Sequence, residues 1–148
     1  MTQSVRTTVR RLERVADLER AYIVMRELRP ALSSPAEFRT TVRRLARAVG
    51  YRLVGAWRRG QLCALAGYRV GESIAWGRHL YVDDLVTASD HRSAGVGRQL
   101  CAWLRAEARR LRCRQWHLDS GVQRHAAHRF YLRERLDITC FHFQADLG

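Results

Sequence analysis

Apolar residues recur at helical spacing in three stretches of the chain, and shorter segments between them read as strands. Leu18, Tyr22, Met25 and Leu28 form the first helical face. Asp17 stands where a cap would, and Arg29-Pro30 should end the helix, because the residue before proline avoids helical torsions. Phe38, Val42, Leu45 and Val49 form the second face, opened by the capping box Ser34-Pro35-Ala36-Glu37 and closed by Gly50. Val96, Leu100, Leu104, Ala108 and Leu111 form the third. A second capping box, Ser120-Gly121-Val122-Gln123, predicts one more helix to about Arg133.

Strands are predicted at Ser4 to Leu12, Tyr51 to Trp57, Leu62 to Val70, Arg78 to Thr87, Gln115 to Asp119 and Ile138 to Gln144. Arg58 to Gln61 and Gly71-Glu72-Ser73 read as turns. In the Arg78 to Thr87 strand the step from Val82 to Leu85 breaks alternation across Asp83-Asp84, and a bulge there restores it. The order β-α-α-β-β-β-α-β-α-β predicts one α/β (α+β) domain over residues 1–148, a mixed, mostly antiparallel sheet flanked by helices.

Composition narrows the picture only a little. No run approaches the ~18 apolar residues of a membrane span. The polar, Arg-rich start from Met1 to Arg14 lacks a signal-peptide core, so a cytoplasmic location is expected. Cys63, Cys101, Cys113 and Cys140 form no CxxC pair or zinc-finger spacing, so reduced, mostly buried thiols and no metal are expected. The net charge is +13, and all 27 basic residues are Arg. The joint absence of Lys and Asn points to a GC-rich, bacterial genome, which explains Arg in place of Lys but not the excess of base over acid. A positive field also attracts a polyanionic cofactor.

The strongest chemical signal is His91-Arg92-Ser93-Ala94-Gly95-Val96-Gly97-Arg98, two glycines between a strand and a helix start. Unpaired N–H groups and the positive end of a helix dipole there suit a pyrophosphate. Arg92-Ser93-Ala94-Gly95-Val96-Gly97 fits the pattern [RQ]xxGx[GA]. Leu80 to Thr87 and Ala126-Ala127-His128-Arg129-Phe130-Tyr131 fit the strand before it and a later helix motif. Together these resemble the Gcn5-related N-acetyltransferase (GNAT) superfamily over almost the whole chain. Serine stands at Ser89 and Ser93 where the family often has proline and glycine. Arg124 replaces an asparagine, and Arg135-Leu136 replaces Gly-Phe.

The resemblance implies acetyl-CoA as co-substrate. Arg92, Ala94, Gly95, Val96, Gly97 and Arg98 would hold its pyrophosphate, and Leu85, Val86 and Thr87 its pantetheine arm. It implies that Tyr131 protonates the leaving thiolate. Asp83 is the preferred general base, with Asp84 helping to bind a cationic small-molecule amine, as in the polyamine-acetylating branch. An oxyanion donor is expected among the backbone amides near Leu85 or Val86. Asp119, Glu27, His117 and His128 rank lower, and Cys101 and Cys140 lack the partners of an acyl-cysteine mechanism. A homodimer is an expectation from the family. An Arg-rich nucleic-acid-binding protein and a non-catalytic acyl-CoA sensor of the same fold are the competing readings.

Overall fold

A computed structural model of the chain describes residues 5–148. In chain order it holds β1 (Thr8–Arg11), α1 (Val15–Leu28), α2 (Pro35–Val49), β2 (Arg52–Arg58), β3 (Gln61–Ser73) and β4 (Gly77–Thr87). A short turn of 3-10 helix at Ser89–His91 leads to α3 (Val96–Arg110), β5 (Gln115–Leu118) and α4 (His125–Arg133). The sheet runs β1-β2-β3-β4-β5, and its first three pairings are antiparallel. This is the mixed α/β architecture that the element order predicts. The chain divides into two compact units, Met1–His117 and Leu118–Gly148.

In the first unit, alternation along the strands sends side chains to two faces. On one face Leu18, Tyr22 and Met25 of α1 and Phe38 of α2 cluster with Leu53, Trp57 and Leu65. On the other, Tyr68 meets α3, with its ring 5.9 Å from that of Trp103 and its hydroxyl 3.3 Å from Glu107 Oε1. Leu100 and Leu104 of α3 are fully buried, each worth roughly 1.5–3 kcal/mol of apolar transfer. The first capping box forms much as its sequence implies. Glu37 N donates to Ser34 Oγ at 3.1 Å, while the Glu37 carboxylate accepts from Ser33 N at 2.8 Å, and Gly50 ends α2 at φ 70°.

Several expectations are corrected. The helix expected to start behind an Asp17 cap begins at Val15, capped by Arg14 without a side-chain bond. Asp17 sits in the first turn instead, because Arg10 grips both its oxygens, at 2.8 and 2.9 Å. Gly71-Glu72-Ser73 is not a turn. The ladder continues through Gly71↔His79 to Ser73↔Gly77, and the chain reverses at residues 74–76, where Trp76 N donates to Ser73 Oγ. The Ser120 capping box does not open a helix. Arg124 N and His125 N bond back to Gly121 O and Gln123 O, so a turn forms first and α4 begins at His125.

The strand expected at Ile138 to Gln144 is not formed. Ile138, Phe141 and Phe143 are 75 %, 82 % and 90 % exposed, and no strand pairs with them among the described residues. Alternating sequence makes a strand only when a neighbour takes up its backbone groups. The first strand covers Thr8–Arg11, and Ser4 lies outside the described residues. Cys63 and Cys101 are buried, Cys113 is partly so, and Cys140 is exposed.

Candidate active site

The β3–β4 ladder carries a bulge where the sequence pattern predicts one. Gly67 faces Asp84 and Tyr68 faces Val82, which leaves Asp83 as the extra residue of β4. Both aspartates are held by arginines. Arg69 reaches Asp83 through Nε, at 3.0 Å from Oδ2, and through Nη2, at 3.2 Å from Oδ1. Arg29, the C-cap of α1, donates Nε to Asp84 Oδ1 at 2.8 Å and Nη2 to the Asp83 carbonyl at 3.0 Å. The Tyr51 hydroxyl donates to the second Asp84 oxygen at 2.7 Å.

Burial raises the Asp83 carboxyl above its ordinary range, against the pull of Arg69. Burial and the Asp84 charge push the Tyr51 phenol up, so it stays a donor. Arg29, Arg69 and Tyr51 were not legible as site residues. One signal did exist: Gly67 lies inside a strand, where glycine marks a close approach. A β-carbon there would overlap the Tyr51 ring.

β5 is four residues long and β4 eleven. Arg114 N donates to Arg78 O at 3.0 Å, which sets the starts of the two strands side by side. β5 therefore runs out before the bulge, and the Asp83 to Thr87 stretch has no strand on that edge among the described residues. Alternate N–H groups of Leu85, Val86 and Thr87 must face away from β3.

Beyond β4 the chain turns into α3 through two left-handed residues, Ser93 at φ 65° and Gly95 at φ 76°. Gly95 is the N-cap and offers no side chain, the first turn holds no acid, and Gln99 N bonds back to Gly95 O. The N–H groups of Val96, Gly97 and Arg98 precede that first intrahelical bond and point out of the helix at its positive end. Arg58 of β2 steadies this turn, with Nη1 donating to Ala94 O at 3.3 Å and Nη2 to Val5 O at 3.2 Å. Glu27 steadies its approach, accepting from Ser89 N at 2.9 Å and lying 3.8 Å from Arg92. Arg58 was read only as a turn residue, and its role depends on a contact 36 residues away.

In the second unit Tyr131 is a buried residue of α4, with its ring 5.7 Å from that of Phe130. His128 Nε2 contacts Gly121 O at 2.8 Å, and Asp119 pairs with His142 Nδ1 at 3.0 Å. Both side chains thus order this segment. In the first unit His117 stacks on Trp76, with centroids 3.9 Å apart.

Comparisons with known proteins bear on this geometry. The chain is 36 % identical over 114 residues to an uncharacterized N-acetyltransferase, YhdJ, of Bacillus subtilis (strain 168), covering 75 % of this chain and 78 % of that one. It is 37 % identical over 62 residues to an aminoalkylphosphonate N-acetyltransferase of Salmonella typhimurium, covering 42 % of this chain and 40 % of that one. Its fold superposes on the aminoglycoside N-acetyltransferase AAC(6')-Iy, solved in complex with CoA, with a TM-score of 0.81, 14 % identity and coverage of 100 % and 99 %. A model of the acetyltransferase (GNAT) family matches residues 13–136, most of the chain, and the protein belongs to that family.

Proposed function

We propose that this protein transfers the acetyl group of acetyl-CoA directly to a primary amine of a small molecule, within a ternary complex in the cytoplasm. One observation carries the reading: the uncapped start of α3, reached through two left-handed residues, lies just past the open edge of β4. Amides at a helix start suit a diphosphate. Here the donors are those of Ala94, Gly95, Val96, Gly97 and Arg98, with the Arg92 and Arg98 side chains adding charge. The outward amides among Leu85, Val86 and Thr87 suit the amide-bearing pantetheine arm.

In the reaction the amine nitrogen forms a bond to the thioester carbon, and the carbon–sulfur bond then breaks. The ammonium proton passes to Asp83, directly or through water, since a protonated amine is no nucleophile. An open-edge amide near Leu85 or Val86 stabilises the oxyanion. The phenol of Tyr131 gives its proton to the departing thiolate, a group of similar basicity, and the surplus proton of the acylated nitrogen passes through water to restore the phenol. The aminoglycoside and aminoalkylphosphonate enzymes to which the chain is similar favour a small amine as acceptor.

The test is calorimetric titration with CoA and acetyl-CoA, followed by thiol release with a panel of amines. Binding of both, together with a loss of turnover but not of CoA affinity in Tyr131→Phe, is the expected result. Absence of CoA binding would overturn the reading.

A further inference from the structure

An acidic pair beside the reaction centre suggests a cationic acceptor, yet each carboxylate already has its cation. Arg69 occupies both oxygens of Asp83, and Arg29 occupies Asp84. Two negative and two positive charges cancel, so net charge draws in neither sign, and every carboxylate oxygen of the pair already accepts a hydrogen bond. An arriving cation would have to displace a guanidinium that is already hydrogen-bonded.

The arginines, by contrast, have capacity left. A guanidinium offers five N–H donors along two edges. Arg69 spends its Nε–Nη2 edge on Asp83, and Arg29 spends Nε on Asp84 and Nη2 on the Asp83 carbonyl. Among the described residues neither Nη1 makes a hydrogen bond. The side chains are 36 % and 52 % exposed, so both guanidinium-bearing side chains reach solvent. Both guanidiniums converge on one residue, Asp83, through its carboxylate and its carbonyl. Tyr81, 4.9 Å below the Arg69 guanidinium, further fixes its plane. The nearest other acid on α1, Glu27, is engaged with Ser89 and Arg92.

We propose that Arg29 and Arg69 form an anion-binding subsite for the acceptor, so that the preferred substrate is an amine bearing a carboxylate, phosphate or phosphonate. Asp84 then anchors Arg29, and Asp83 holds Arg69 in place besides taking the ammonium proton. Pre-fixed forks lose little freedom when they grip an anion end-on. The inference rests on the acetyl-transfer reading above and adds the acceptor class to it.

The experiment compares ethylamine, ethylenediamine, β-alanine and aminoethylphosphonate as acceptors at saturating acetyl-CoA, by thiol release. The expected result is a kcat/KM for the two anionic amines roughly tenfold or more above that for ethylamine, the size of a charge-assisted hydrogen bond, with ethylenediamine no better than ethylamine. Arg29→Gln and Arg69→Gln should each narrow the ratio of aminoethylphosphonate to ethylamine turnover, a ratio from which any general loss of activity cancels. A protein that binds CoA but favours ethylenediamine, shows no preference or acetylates none of the four overturns the acceptor inference alone. A protein that binds no CoA overturns the acetyl-transfer reading instead.

Discussion

The Tyr51 hydroxyl donates to Asp84 Oδ2 at 2.7 Å, joining the start of β2 to the bulge of β4 across the intervening strand β3. The phenol passes over Gly67, where any β-carbon would overlap its ring. Gly67→Ala should therefore destabilise the protein by about 1–3 kcal/mol, the range for overpacking a core. For a chain of this length that lowers the melting temperature by roughly 3–10 °C. Tyr51→Ala should remove the clash, so the double variant should cost less than the sum of the single ones. Thermal melts of the four proteins check this, and additive losses would speak against the contact.

The two left-handed residues before α3 should respond to substitution with opposite signs. Ser93 holds φ 65° with a β-carbon, a conformation that costs an L-residue about 1–2 kcal/mol. Ser93→Gly should stabilise by about 0.5 kcal/mol once glycine's greater unfolded-state freedom is counted. Gly95→Ala meets no atom within 4 Å, so its cost, about 1 kcal/mol, is that of the backbone alone. Denaturant titration measures both, and a stabilised Gly95→Ala protein would refute the backbone argument.

Arg58 holds the turn before α3 by its Ala94 carbonyl. Arg58→Gln should weaken acetyl-CoA binding by roughly threefold to tenfold, the worth of one hydrogen bond, and leave kcat at saturation nearly unchanged. Calorimetry with CoA and steady-state kinetics separate the two effects. A lowered kcat at unchanged affinity would assign Arg58 elsewhere.

Asp17 is buried, and its hydrogen bonds to Arg10 hold its carboxyl below the usual carboxylate range. A depressed folded-state pKa means the unfolded chain binds the proton more readily. The stabilisation is therefore complete above the unfolded value of about 3.9. It is lost as pH falls through the folded value. Asp17→Asn should cost about 1–3 kcal/mol at neutral pH and flatten the acid side of the stability curve. Urea melts from neutral pH down to acid pH check both, and an unchanged acid slope would contradict the assignment.

Much of this was legible in sequence because it is local. The faces at Phe38 to Val49 and Val96 to Ala108 follow from period, Gly50 and Ser34 from cap chemistry, and the bulge from a broken alternation at Val82 to Leu85. The turn at Ser93 to Gly97 was visible in its glycines. Arg29 was not, because its partner lies 55 residues away and only the packing of α1 on the sheet brings them together. Sequence shows the acids Asp83 and Asp84 but not their counter-ions, which reach them only through the fold. The Ile138 to Gln144 stretch misled because alternation is a property of one segment, whereas pairing needs two.

The bulge at Asp83 has an arithmetical consequence. A strand presents its side chains by odd and even count, and the surplus residue resets that count. Removing Asp83 outright would make Val82 and Asp84 neighbours opposite Tyr68 and Gly67, an unbroken ladder in which every other side chain keeps its face. Shortening the strand by this one residue would therefore spare the core and cost the kink itself, together with the carboxylate that anchors Arg69.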